Sequence, residues 1–382
     1  MAVDLVIPAT DGESLREIAG WDGVRPATFA AADFPVDVVR FAGSSSPPVA
    51  ISRCRRAETL KALPASLRSR AEAAFARATK RPAALGLAHG RSLDLSRGPA
   101  VMGVINVTPD SFSDGGLHLD RDRAAAAALA MFEAGAAIVD VGGESTRPSH
   151  YGAAREVPPE EEIARVVPVI AAIRAGTDAP ISVDTRKAAV AKEALAAGAD
   201  LVNDVSALRF DAAMAETIAG AGAGAILMHM KGLDPRSMQE DVTYAHPIAD
   251  VADHLEEAAS RAVAAGVPAG SIVVDPGLGF GKSPDGSLLL LRHLRAFAAL
   301  GHPVAVGASR KGFVRRFSGL GEDAPAAERL PGSLAALAAA AAGGAAILRV
   351  HDVPESVRFL RFSGAVARPG PPAARPAGAA AR

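Results

Sequence analysis

The chain of 382 residues contains a single cysteine, Cys54. That excludes an intrachain disulfide and a cysteine cluster for zinc, and it leads us to expect a reducing, cytoplasmic setting. Net charge is scarce as well. The 41 Lys and Arg against 42 Asp and Glu leave −1 at neutral pH, a balance that argues against nucleic acid or an anionic membrane surface as partner. The most apolar stretch, residues 334–348, is mostly alanine and is broken by Gly343 and Gly344. It is too short to span a bilayer and reads as a packed helix running into a strand. The opening eight residues, MAVDLVIP, lack the basic start and long apolar core of a signal peptide. His229, His246, His254, His293 and His302 show no paired spacing of a zinc site. The stretch 277–283 imitates a phosphate loop, but the Walker spacing needs glycine where Pro276 stands.

With 49% hydrophobic and 22% charged residues the composition is that of a soluble globular protein. Three textures divide it. Residues 1–97 show no clear period and carry Pro and Ser breaks such as SSSPP at 44–48; within them 67–80 reads as a helix stopped by Pro82. Residues 98–363 alternate short apolar runs with helical patterns. Residues 364–382 are Ala, Pro, Gly and Arg with almost nothing to bury, and the expectation there is a disordered tail.

In the middle region, strands are expected at 101–107, 137–142, 180–184, 201–205, 225–230, 271–275, 303–307 and 345–350. They are apolar with little alternation, as parallel strands buried on both faces are. Helices are expected at 121–134, 159–175, 187–197, 248–265 and 324–342, several ending in Gly-Ala steps that suit a helix C-terminus. Eight such units in a single stretch predict an α/β protein built on a (β/α)8 TIM barrel, with an N-terminal extension. An open doubly wound sheet is disfavoured because no dinucleotide fingerprint follows the first strand.

The strand ends carry polar chemistry in order: Asn106; Glu144 to Arg147; Asp184; Asn203; Met228 to Met230; Asp275; Ser309, Arg310 and Lys311; Arg349, His351 and Asp352. Singly, each has a plain reading. Asp184 suits a helix cap, Asp275-Pro276-Gly277 suits a turn, Arg310 and Lys311 suit a solvated pair, and His229 between two Met suits a satisfied core histidine. Together, in a barrel, they converge on one face. Arg147, Arg349 and His351 suit an anion such as phosphate, to which a Mg²⁺ could be joined through an amide oxygen. Asp184, Asn203 and Asp275, with Met228 and Phe280, suit a flat heterocycle rich in N–H donors. Asp140, an acid inside an apolar strand, needs partners and is expected to support the site rather than to touch the ligand.

These residues sit in motifs that resemble the dihydropteroate synthases of folate biosynthesis. The motifs are MGVINVTPDSFSDGG (102–116), DVGGESTRP (140–148), SVDT (182–185), VNDV (202–205), LMHM (227–230), VDPGLGFGK (274–282), SRK (309–311) and RVHDV (349–353), in the family's order. The resemblance implies a (β/α)8 barrel and a transferase that condenses (7,8-dihydropterin-6-yl)methyl diphosphate with 4-aminobenzoate. It implies that Asp275, Asn203 and Asp184 hold the pterin, with Lys311 at its carbonyl side and Met228 and Phe280 lining the slot. Asn106, Arg349 and His351 would bind diphosphate, with Mg²⁺ at Asn106. Loops 108–116 and 145–148 would close over 4-aminobenzoate, with Thr146, Arg147, Ser309 and Phe112 as candidates. Asp184, Lys311, Arg349 and His351 are the candidate catalytic groups, and a homodimer is implied. Ser149 and Gly312 depart from the family's usual residues without removing a ligand. A corrinoid-dependent pterin methyltransferase would not need the 108–116 loop, the SRK element or the Arg-x-His pair; a non-catalytic pterin-binding paralogue would have lost one of them.

Overall fold

The computed structural model describes residues 5–9, 36–41, 48–52, 56–79, 83–107, 117–145 and 156–367. The expected tail from 368 onward and the loop residues 108–116 and 146–155 lie outside the described residues.

Eight parallel strands form the main sheet: β6 (Ala100–Asn106), β7 (Ile138–Gly142), β8 (Ile181–Asp184), β9 (Leu201–Asp204), β10 (Gly224–Met228), β11 (Ile272–Asp275), β12 (Ala305–Val306) and β13 (Ile347–Val350). They pair in the order β11-β10-β9-β8-β7-β6-β13-β12, and a parallel bridge between Val274 and Val304 joins the two ends. The (β/α)8 barrel is therefore present. Each expected strand appears, with ends shifted by no more than two residues. The strands lack alternation because both faces are covered: β7, β9, β10 and β11 are buried throughout. Helices follow each strand and pack outside, as α3 (Leu117–Glu133), α4 (Pro159–Gly176), α5 (Ala188–Ala196), α6 (Met214–Gly220), α7 (Pro247–Ala264), α8 (Pro284–Arg292), α9 (Arg295–Ala298), α10 (Gly312–Phe317), α11 (Leu330–Ala342) and α12 (Val353–Ala367). Two bounds differ usefully from expectation. The helix expected from 324 begins at Leu330, since Pro331 belongs to a first turn and a short 3₁₀ turn occupies 326–329. The last helix continues through Ala367, into the stretch expected to be tail.

A hairpin of β4 (Ala84–Gly86) and β5 (Ser92–Asp94) closes the bottom of the barrel. Its Leu85, Leu87, Leu93 and Leu95 share one apolar cluster with Met102, Ile138, Leu201, Ile226 and Ile347 from the barrel strands. The N-terminal extension, without clear period in the sequence, contains a three-stranded antiparallel sheet, β1 (Leu5–Ala9), β2 (Val36–Arg40) and β3 (Val49–Ser52), with helices α1 (Arg56–Ala62) and α2 (Ala65–Thr79). One face of this sheet, with Val6, Val39 and Ile51, packs on Leu60, Ala71 and Phe75. The other face, with Leu5, Ile7 and Val38, joins the barrel's outer core with Leu294, Phe297 and Leu300. Arg40 pairs with Asp253 of α7 at 3.1 Å, and Arg77 donates to the Ala299 carbonyl.

Candidate active site

Strand register brings the polar ends together. Asn106 lies beside Gly142, Gly142 beside Asp184, and Asp184 beside Asn203. Met228 lies beside Asp275 on the next pair. These neighbours share the C-terminal end of the barrel, where strand ends and the following loops build the site.

At its floor is a buried charge network. Arg349 donates from Nε to Asp140 Oδ2 (2.6 Å) and from Nη2 to Asp184 Oδ2 (2.7 Å). Asn203 Nδ2 donates to the same Asp140 oxygen at 3.0 Å. Asp140 is fully buried, and its Oδ1 has no partner among the described residues. Asp140 thus supports the site, orienting both Arg349 and Asn203. Asp184 is no helix cap, because the α5 amide of Ala188 is bonded instead by Asp211. Burial pushes the Asp184 carboxyl up, and the Arg349 guanidinium pulls it back down. Burial also opposes the charge on Arg349, but Asp140 and Asp184 hold it firmly protonated.

Asp275 is buried too, and one of its oxygens accepts the Gly277 amide at 2.7 Å. The plain turn reading is half right: Oδ1 makes the turn. Burial raises this carboxyl, while Lys311, the Gly277 amide and Lys282 pull it down. Lys311 donates to the Leu278 carbonyl, and its ammonium lies 4.6 Å from the Phe280 ring centre. Burial lowers the Lys311 ammonium to about 8, with Asp275 opposing and Arg349 assisting. Met228 and Phe280 share a small apolar cluster with Val205, Met230 and Met238.

The SRK turn is strained. Arg310 sits at φ +60°, unusual for a residue with a Cβ. It is held by Ser333, whose hydroxyl accepts its amide, by Arg329, which donates to its carbonyl, and by Asp352, which accepts from its Nε at 3.0 Å. Strain of this kind persists where the surroundings over-determine it; here it sets Ser309 and Lys311 on either side of the kink. Ser309 Oγ accepts the His351 amide and lies 3.2 Å from His351 Nδ1. Ser309, expected beside 4-aminobenzoate, is thereby joined to His351, expected at the diphosphate. Arg310 is not a solvated pair with Lys311. Ser333 and Arg329 carry no local signal in the sequence, because their partners are about twenty positions away.

Asn106 ends β6 half-buried. Thr146, Arg147 and Phe112 lie outside the described residues. The stem of the loop that carries Thr146 and Arg147 is anchored: Lys187, buried, bridges Glu144 (2.7 Å) and Glu162 (2.5 Å), and Glu144 accepts the Val157 amide. As for a metal, among the described residues no group of three His, Cys, Asp or Glu could hold an ion. Asn106 offers one hard oxygen, which fits Mg²⁺ only as an ion shared with substrate oxygens.

A barrel with carboxylates, a lysine and an arginine at the C-terminal ends of its strands has the layout of a barrel enzyme. The family model for pterin-binding enzymes matches residues 102–351. Dihydropteroate synthase of Escherichia coli K12 is 45% identical over 274 residues, 72% of this chain and 93% of that protein. A probable bifunctional folylpolyglutamate synthase/dihydropteroate synthase of Haloferax volcanii is 50% identical over 267 residues, but the chain spans 30% of that longer protein. A Xanthomonas albilineans dihydropteroate synthase solved with 4-aminobenzoic acid superposes with TM-score 0.68 and 41% identity, covering 76% of this chain and all of that one. The chain belongs to the pterin-binding enzymes and, within them, to the dihydropteroate synthase family.

Proposed function

We propose that this chain condenses (7,8-dihydropterin-6-yl)methyl diphosphate with 4-aminobenzoate, giving 7,8-dihydropteroate and diphosphate. The observation that carries this is the Asp140–Arg349–Asp184 network beside buried Asp275, a cation and carboxylates held where one face of the barrel opens. Asp275, Asn203 and Asp184 accept from and orient the N–H edge of the pterin, Lys311 donates to its carbonyl, and Met228 and Phe280 cover its faces. Arg349 and His351 take the diphosphate, and Ser309 steadies the His351 ring. Preplaced cations lower the barrier for loss of an anionic leaving group. As the C–O bond lengthens, positive charge develops at the pterin methylene, and Asp184 lies on the same floor to stabilise it. An arylamine is neutral and nucleophilic at neutral pH, so a strong general base is not required. Thr146, Arg147 and Phe112 hold the arylamine. Asn106 would be the residue to hold a Mg²⁺, which would supply further neutralisation of the leaving group.

The enzyme is proposed to work in the cytoplasm as a homodimer. The single cysteine is consistent with the former, and among the described residues no helix is long and apolar enough to cross a membrane. Exposed Phe362 and Val366 on α12 offer apolar surface for the latter. The test is to supply both substrates and Mg²⁺ and assay dihydropteroate and diphosphate together. Formation of both only when the arylamine is present is the expected result. Pterin binding without product points to a binding paralogue or a methyltransferase instead.

A further inference from the structure

Lys282 is 4% exposed, and the carboxylate that acts on its charge is Asp275. Its ammonium has three acceptors: the Phe280 carbonyl (3.0 Å), the His229 carbonyl (3.0 Å) and His229 Nδ1 (2.7 Å). With Nδ1 accepting, the ring proton of His229 sits on Nε2, and burial together with the Lys282 charge keeps that imidazole neutral. His229 follows Met228 directly, and Lys282 lies two residues after Phe280. One buried lysine therefore ties together the two loops that carry Met228 and Phe280.

The same loop is gripped along its length. Four successive carbonyls each accept a side-chain bond: Leu278 from Lys311, Gly279 from Gln239, Phe280 from Lys282 and Gly281 from Tyr244. Gln239 and Tyr244 both come from the segment between β10 and α7. Gly277, Gly279 and Gly281 alternate at φ +65°, +81° and +67°, a conformation glycine adopts without steric cost. The two loops are also pressed together. A Cβ at Gly277 would lie 2.0 Å from the His229 carbonyl oxygen, and one at Gly281 would lie 2.4 Å from the Lys231 side chain. Burial lowers the Lys282 ammonium well below the usual lysine range, with the Asp275 charge opposing, so a lysine is costly to keep here; its three contacts fix the neighbouring carbonyls.

We propose that Lys282 is a positioning residue for the pterin ring: by pinning the Phe280 and His229 carbonyls it holds Phe280 and Met228 at the spacing of a flat heterocycle, with Gln239 and Tyr244 as auxiliaries. Lys282 does not itself touch the ring. The proposal rests on the reading that Phe280 and Met228 line the pterin slot.

The test uses the full chain and 6-hydroxymethyl-7,8-dihydropterin, which carries the ring without diphosphate, with affinity read by calorimetry. Lys282→Met is expected to weaken ring binding by about tenfold, the scale of lost charge-assisted hydrogen bonds, while KM for 4-aminobenzoate stays within about twofold of wild type. Because Lys282 acts through Phe280, the double variant Lys282→Met/Phe280→Leu should be only slightly weaker than Phe280→Leu alone. Full additivity, unchanged binding by Lys282→Met, or equal loss of both substrates overturns the proposal. Should Lys282→Met fail to fold, Gln239→Ala removes only the Gly279 carbonyl's partner. A loss of about threefold in ring affinity with the arylamine KM spared supports the positioning role, and no loss overturns it. Asp275→Ala separates the two levels. If it binds the ring like wild type, the slot assignment itself is wrong; if it does not bind while Lys282→Met does so normally, only the positioning role falls.

Discussion

The two ends of the barrel treat buried carboxylates in opposite ways. At the bottom, Asp200 is fully buried and both oxygens are used: Arg91 donates to one at 3.0 Å, and Arg174 (2.5 Å) and the Ile181 amide (2.8 Å) to the other. At the top, Asp140 keeps an oxygen without a partner among the described residues, and burial raises the carboxyls of Asp184 and Asp275. The bottom network is complete within the protein. At the top, Asp140 supports Arg349 and Asn203, and Asp184 and Asp275 are the acceptors that suit a donor-rich ligand. Burying a charge with incomplete partners is unfavourable to folding, so the contrast separates a carboxylate that holds the barrel shut from carboxylates arranged for substrate.

The widest break in that contrast comes from removing Asp200. Asp200→Ala leaves Arg91 and Arg174 without their buried acceptor and should lower stability by about 3–5 kcal/mol, seen as a shifted denaturant midpoint. The fraction that remains folded should bind pterin normally, since none of the partners of Asp200 reaches the site. Asp275→Ala should do the reverse. Ring affinity should fall by about a hundredfold, near 3 kcal/mol for the lost charged acceptor, with the melting temperature unchanged or higher, because the raised carboxyl no longer has to be buried. A stability loss as large as that of Asp200→Ala would place Asp275 among the structural carboxylates.

Much of the top end was legible in the sequence, because a parallel strand ends where its function begins. The apolar runs located eight strands, and the residues at or near the ends of five of them are Asn106, Asp184, Asn203, Met228 and Asp275. Local patterns could not expose contacts between distant segments. The Asp200 knot needs Arg91 from a hairpin and Arg174 from a helix. The Lys282 pin was hidden inside a stretch that imitates a phosphate loop, and the Arg310 kink depends on Ser333 and Arg329 from α11 and the turn before it. The N-terminal sheet was missed for another reason: β1 and β2 are separated by a long connection, so strand pairing is non-local and neither run stands out by period. Its two-sided burial, against its own helices and against the barrel, erases the alternation that marks a half-exposed strand.

A smaller effect sharpens the division of labour within the top end. Arg349→Met should weaken diphosphate-bearing pterin by about thirtyfold, near 2 kcal/mol, while 6-hydroxymethyl-7,8-dihydropterin is affected by less than about threefold. Arg349 is paired with Asp140 and Asp184 when nothing is bound, so the diphosphate must compete for it. Equal loss for the two ligands would mean that Arg349 serves the pocket's own carboxylates rather than the anion.

The mildest test is pH. The Lys311 ammonium is lowered to about 8, chiefly by burial, so its charge changes not far from neutrality. Below that value it is charged and donates fully to the pterin carbonyl. Above it the free enzyme holds a neutral amine, and binding must take up a proton. Affinity for the ring should therefore decline above about 8, by at most about tenfold per pH unit, with proton uptake seen as a dependence of the binding heat on the buffer's ionisation enthalpy. The neighbours fix the direction in which the limb moves. Asp275 raises the Lys311 value and Arg349 lowers it, so Arg349→Met should shift the alkaline limb to higher pH and Asp275→Asn to lower pH. A limb that ignores both substitutions belongs to the substrate and not to Lys311. One that moves with Arg349 alone would mean that the Asp275 carboxyl is already protonated there, which would leave only the top carboxylates on Arg349 ionised.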